Sequence, residues 1–479
     1  MSTSKRPLRV AFIHPDLGIG GAERLVVDAT VGLQKLGHSV DIYTSHHNPD
    51  HCFEETRDGT LSVHHVAPPF PRAIGGKFHI LLAHLRQLHL ISQLLREPKK
   101  YDVFFVDQLS TCIPLLRAFA GARVVFYCHF PDKLLASGAF VEGDIVFKRQ
   151  RLVKRIYRLP MDWLEEVTTR QADIILANSK FTARVFKTYF PSIYHDPTIV
   201  YPGINMDTYE ADYDHTDPNV QSVVSDRPTL ISLNRFEGKK NIILALEAFA
   251  KYKAHKSHPS LRLVLAGGYD PRLEDNIRVL DKIQSIAKSL SLSFTITSPS
   301  PLPATTPAAP FITDPDVLIL LNFTTAQRTA LLRSPSTLAL LYTPENEHFG
   351  IVPIEAMACG VPVLACDSGG PLESIVQSEP RTGWLRRPDP DVWAEALTEI
   401  LSLTSSQRAG ISETAKRRAK ELFGMDAMAK GIEGALEEAA GMGEVSSDEV
   451  WGVWWKVLVM LFGFVLAFGY SAIGGSVRK

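Results

Sequence analysis

The chain is poor in cysteine and has no close pair of them: Cys52, Cys112, Cys128, Cys359 and Cys366 are odd in number, widely spread and form no C-x-x-C. That pattern excludes a disulfide framework or a zinc knuckle and reads as reduced thiols in a cytosolic setting. An excess of charge is also missing. With 51 basic and 52 acidic residues the formal net charge is -1, which gives no global attraction to nucleic acid and makes small ligands the better expectation. No G-x-x-x-x-G-K-[ST] occurs, which counts against a P-loop NTPase. The apolar run near the N-terminus, Leu8–Ile13, is shorter than the ~7–15 residues of a signal-peptide core, so export is not expected.

What is present is a folded chain of 479 residues, 45 % hydrophobic and 22 % charged, long enough for about two to four domains at roughly 100–200 residues each. Short apolar runs alternate with amphipathic stretches. The spacing predicts strands at Arg9–Ile13, Ser39–Thr44, Val103–Val106, Val124–Tyr127 and Asp173–Ala177, with a helix over Ala22–Leu36. A second series predicts strands at Thr229–Leu233, Leu261–Ala266, Val317–Leu321, Thr337–Leu341 and Val361–Ala365, with helices at Asn241–Tyr252 and Asp275–Ser289. The fold class is therefore α/β, with two Rossmann-like domains facing a central cleft and a hinge near Tyr201–Gly203.

The expected boundaries are 1–202, 203–430 and 431–479, with a flexible Pro-rich insert at 298–310. Phe78–Leu95, rich in Leu and His, reads either as a membrane-surface helix or as an ordinary packed one. The last region is acidic and then apolar. Trp451–Ile473 carries one charge, Lys456, and Val457–Ile473 would cover ~25 Å as a helix. Trp on one side and Arg478 and Lys479 on the other suit interfacial anchoring, so membrane attachment is expected and spanning left open against an in-plane or buried helix.

Three stretches can carry chemistry. "GIGGAERLVVDA" places Gly20 and Gly21 between the first strand and first helix, where a backbone turn can approach an anion or serve only as a turn. "NRFEGKKN" puts Arg235 and Lys240 at the mouth of the cleft, and a guanidinium plus an ammonium suits a diphosphate. "PENEHFGIVPIEAM" places Glu347 in a loop. Pro353 is expected at the first position of a helix, with Glu355 in its first turn, and the amides of Phe349, Gly350, Ile351 and Val352 face a phosphate or sugar hydroxyl. The Asp-x-Asp triplets at Asp212/Asp214, Asp314/Asp316 and Asp389/Asp391 read as loop acids, so no metal or other cofactor is required by the sequence.

Together, E-x7-E at Glu347/Glu355, R-x4-K at Arg235/Lys240 and the GGAER turn resemble the retaining glycosyltransferases of the two-domain GT-B type. Further strings, including "YCHFPDKLLA", "ANSKFTA", "YPGIN", "AGGYDPRLEDN" and "TGWL", are most similar to the dolichol-pathway α-1,3/1,6-mannosyltransferases, over about Leu8 to Leu385. The resemblance implies a retaining enzyme that transfers mannose from GDP-mannose to Man-GlcNAc2-diphosphodolichol, α-1,3 and then α-1,6. It implies Arg235 and Lys240 on the diphosphate, Glu355 on the ribose, Glu347 near the mannose and His129 of "YCHFPD" near the sugar and acceptor. It further implies residence at the endoplasmic reticulum membrane with both domains on the cytosolic face, and other dolichol-pathway enzymes as potential partners. The competing readings are a related transferase with another lipid or glucan acceptor, and a silent nucleotide-sugar-binding scaffold.

Overall fold

The computed structural model describes residues 6–135, 138–141, 144–147, 152–210, 212–255, 260–301, 312–446 and 449, with backbone alone for the elements within 135–157. Residues 302–310 of the Pro-rich insert and the apolar segment Trp451–Ile473 lie outside the described residues. Among the described residues no helix is long and apolar enough to cross a membrane.

Among the described residues two seven-stranded sheets carry the fold, every pairing within them parallel, and a separate antiparallel hairpin pairs Gly138–Val141 with Asp144–Phe147. In the first, Arg9–His14 sits between Ser39–Thr44 and Val103–Asp107, followed outward by Arg123–Cys128 and Ile174–Ala177. In the second, Thr229–Leu233 lies between Arg262–Gly267 and Thr337–Tyr342, followed by Val363–Cys366. These central strands are the ones expected from sequence, because a strand covered on both faces must be apolar throughout. Short edge strands were not expected: Ser62–His65, Thr198–Ile199, Phe294–Thr297 and Gly383–Arg386 complete the sheets. An edge strand with one open side tolerates a run such as SVHH, which carries no strand signal.

Two connections join the halves. Ile204 N–H donates to the Phe423 carbonyl (2.9 Å) and Met425 N–H to the Ile204 carbonyl (3.0 Å), so the outgoing and returning chains are tied together. Gly203 touches the Met425 backbone so closely that a Cβ would come within 2.8 Å of its Cα. The helix Met425–Gly441 then crosses the expected boundary at 430 and buries Met428, Ile432, Leu436 and Ala439 in the core of the first sheet. The Leu- and His-rich stretch forms a helix, His79–Leu94, that buries Leu90, Ile91 and Leu94 against that sheet's other face.

Candidate active site

The candidate site is built at the carboxyl ends of both sheets, where ligands of open α/β sheets bind. In the second domain the strand Thr229–Leu233 runs into a tight turn, Gly238–Lys240, closed by Asn241 at φ 47°. Thr343, just past the neighbouring strand, donates to the Lys240 carbonyl at 2.6 Å and so ties the turn to the sheet. Lys240 Nζ then reaches Glu347 Oε2 in an ion pair. Burial alone would raise the Glu347 carboxyl, but the Lys240 ammonium outweighs it and holds the group below the usual glutamate range. Arg235 lies on the same loop, exposed, 3.2 Å from Glu237.

The backbone of Glu347 is held from the other side. Gly370 N–H donates to the Glu347 carbonyl at 2.7 Å and Ser368 Oγ accepts from Asn346 N–H at 3.0 Å. Gly369, at φ 67°, lies so near that a Cβ would stand 2.4 Å from the Glu347 carbonyl oxygen. The next residue, His348, is stacked on Phe130 of the first domain with ring centroids 3.7 Å apart and planes 6° apart. Burial pushes the His348 ring down to about 4. Its carbonyl accepts from the Ser179 hydroxyl, so this loop touches both domains.

Two expectations for the helix need correction. It spans Ile351–Ala358 and begins after Gly350, which adopts φ 86°; Pro353 is therefore its third residue rather than its first. That site also lacks an intrahelical N–H partner, so proline fits there without breaking the helix. Glu355 consequently falls in the second turn. Its carboxylate is buried and accepts from the Tyr209 hydroxyl at 2.7 Å and Arg328 Nη1 at 2.9 Å. Burial raises the Glu355 carboxyl, and Arg328 and Tyr209 offset part of that rise. Phe349 packs inward with Tyr201 and Phe423, while the amides of Ile351 and Val352 open the helix's first turn.

In the first domain Gly20 precedes the helix Gly21–Lys35 in an extended conformation. The Glu23 carboxylate folds back over it, and a Cβ on Gly20 would lie 2.2 Å from Glu23 Oε2, whereas Gly21 faces open space. His129 follows the strand Arg123–Cys128, with its carbonyl held by Asn178 Nδ2 at 3.0 Å. The structure thus pairs Lys240 with Glu347, leaves Arg235 exposed beside them, and places His129 across the cleft close enough to influence His348 electrostatically. Sequence reasoning missed Asp107, His14, His348 and Glu373. Among the described residues no group of three or more His, Cys, Asp or Glu is placed to hold a metal ion.

Comparison with known proteins follows the same division. Residues 19–208 match Glycosyltransferase Family 4 and residues 316–418 match Glycosyl transferases group 1. The α-1,3/1,6-mannosyltransferase ALG2 of Rhizomucor pusillus is 47% identical over 443 residues, covering 91% of this chain and 92% of that protein. The chain belongs to the α-1,3/1,6-mannosyltransferase family. Its relative of the same description in Saccharomyces cerevisiae is 40% identical, covering 90% of this chain and 84% of that protein.

Among solved structures, sucrose-phosphate synthase from Thermosynechococcus elongatus superposes with a TM-score of 0.64 at 17% identity, covering 91% of this chain and 100% of that one. Starch synthase IV of Arabidopsis thaliana, bound to ADP and acarbose, gives 0.62 at 14% identity, with 91% and 100% covered. These two establish the GT-B arrangement of this mannosyltransferase, and the relatives of ALG2 description establish its enzymatic class.

Proposed function

We propose that the protein transfers mannose from GDP-mannose to Man-GlcNAc2-diphosphodolichol, forming an α-1,3 and then an α-1,6 linkage. The observation that carries this reading is the Lys240–Glu347 pair at the carboxyl edge of the second sheet, on the loop that also carries the exposed Arg235, with Lys240 and His129 both near enough to act on His348. The cations neutralise the diphosphate and Glu347 holds a hydroxyl of the mannose. Ile351 and Val352 present helix-start amides to the phosphate. Glu355, set behind them by Arg328 and Tyr209, contacts the ribose, while Gly21 leaves room for the acceptor phosphate once the Glu23 carboxylate over Gly20 swings aside.

An α-linked donor yielding an α-linked product requires net retention. Hydrolases that retain use a carboxylate nucleophile. Here Glu347 is tied to Lys240, which suits positioning better than attack. The acceptor oxygen therefore approaches C1 on the face the diphosphate leaves, its proton passes to the departing diphosphate oxygen, and the protein supplies orientation and charge neutralisation.

The lipid-linked acceptor and the apolar Trp451–Ile473 support a place at the endoplasmic reticulum membrane, with both domains on its cytosolic face. Glu449, two residues before that segment in sequence, is held to the first domain by Arg117 and Arg123, each at 2.8 Å. Purified protein incubated with radiolabelled GDP-mannose and a phytanyl-linked Man-GlcNAc2 diphosphate tests the reading. Two successive additions of distinct linkage support it. One addition points to a relative with another acceptor, and none with native protein overturns it.

A further inference from the structure

Asp107 closes the strand Val103–Asp107 and is fully buried, yet none of the roles above uses it. Its two carboxylate oxygens are divided between two imidazoles. Oδ2 lies 2.8 Å from His14 Nδ1. Oδ1 lies 2.6 Å from His129 Nε2, an ion-pair contact that falls short of hydrogen-bond geometry. The three residues come from the ends of three adjacent strands, with Val103–Asp107 in the middle.

Burial would lift the Asp107 carboxyl, but the His129 and His14 rings reverse this and hold it down to about 2. It is therefore an anion with no proton to give, and each ring must turn an N–H toward it. For His14 that is Nδ1–H. For His129 it is Nε2–H, so that in the neutral ring Nδ1 is the nitrogen with the lone pair, on a side chain 23% exposed at the cleft. Asp16 and Glu23 face His14, the Tyr127 ring lies edge-on to His129 at 5.0 Å, and the Tyr127 hydroxyl is committed to the Val200 carbonyl at 2.8 Å.

We propose that Asp107 and His14 are positioning residues that fix the tautomer and direction of His129, so that its Nδ1 accepts a hydrogen bond from a sugar hydroxyl in the cleft. This rests on the reading of His129 as the histidine beside the reacting sugars. His14 locks one carboxylate oxygen so that the other stays aimed at His129. An isosteric amide at 107 would lack the charge and would offer an N–H where an acceptor is needed.

The test uses the full chain with Asp107→Asn, His14→Asn and His14→Leu. Asparagine can reproduce the Nδ1 donor of His14, and leucine cannot. Asp107→Asn is expected to lower kcat at least 100-fold with the KM for GDP-mannose within threefold. His14→Leu should lose at least tenfold while His14→Asn stays within threefold. Long-range 15N spectra, with the resonance assigned by His129→Gln, should give protonated Nε2 and bare Nδ1 for His129 in the native protein and lose that pattern in Asp107→Asn. An Asp107→Asn enzyme within threefold of native, an unchanged tautomer in that variant, or equal rates for the two His14 variants would overturn the proposal. If Asp107→Asn does not fold, the His14 pair decides. The spectra are independent of turnover, so an absence of mannosyl transfer defeats the proposed function without deciding the tautomer.

Discussion

Lys240 and Glu347 lie 107 residues apart in sequence and form an ion pair in which their side chains are only 15% and 22% exposed. A pair so shielded costs desolvation free energy on both sides, and it is retained where a charged ligand is to meet it.

Separating the two charges distinguishes structure from function. Lys240→Met leaves Glu347 without its cation and is expected to lower stability by about 2–4 kcal/mol. Lys240→Met combined with Glu347→Gln should recover most of that loss, because no unpaired charge then remains. Transfer activity should fall at least 100-fold in both variants. Thermal unfolding and mannosyl transfer, measured side by side, check this; activity that returns together with stability would remove Lys240 and Glu347 from the site.

Much of this arrangement is legible in the sequence, and what is not has physical reasons. The central strands announce themselves as unbroken apolar runs, and E-x7-E with R-x4-K marks the second-domain edge. Asp107 and His14 were overlooked, although each is a polar residue ending an apolar run, VFFVD and RVAFIH. Polar residues at the carboxyl ends of neighbouring parallel strands meet at the cleft, and that signal would have found them. Glu355 was read as a first-turn residue because Pro353 looked like a helix start. Gly350 at positive φ starts the helix earlier, a backbone state the sequence permits without announcing.

The Arg328–Glu355 contact predicts a pH-dependent defect. Arg328→Leu removes the nearest cation from a buried carboxyl already raised by burial, so its ionised form becomes still less favourable. A carboxyl raised in the fold destabilises once pH exceeds its unfolded value, and the penalty fades as acid protonates it. The variant should therefore lose about 3 kcal/mol at pH 8 and clearly less at pH 5. Urea unfolding at both values measures it, and a loss independent of pH would mean that Arg328 acts by packing alone.

Buried histidine sets a second pH response with the opposite sign. Burial pushes His84 down to about 4, and its Nδ1 lies 2.6 Å from the Thr111 hydroxyl. The unfolded chain protonates such a ring first, so this stability is complete above about pH 6.5 and declines as pH falls toward 4. His348, also about 4, acts the same way. Glu165, lifted by burial to about 7, opposes them by taking up its proton earlier in the fold. His84→Asn should flatten the acid limb of stability against pH by up to about 1.4 kcal/mol per pH unit, and an unchanged slope would show that His84 titrates alike in both states.

The contact most directly linked to domain closure is made by Glu373. From the second domain it accepts the N–H groups of Lys180 (2.9 Å) and Phe181 (3.2 Å), at the start of a first-domain helix, and the Tyr201 hydroxyl at 3.0 Å near the hinge. A carboxylate at a helix start contributes about 0.3–2 kcal/mol, here available only while the domains are together. Glu373 therefore favours the arrangement in which Phe130 of the first domain meets His348 of the second. Glu373→Ala should weaken that state, lowering kcat/KM about 2–30-fold and increasing the radius of gyration of the ligand-free protein in X-ray scattering. Glu373→Gln, which keeps an acceptor oxygen without the charge, should fall between. A scattering profile and rate matching the native protein in Glu373→Ala would show that closure is held elsewhere, by contacts such as Ser179 to the His348 carbonyl and the Phe130–His348 stack.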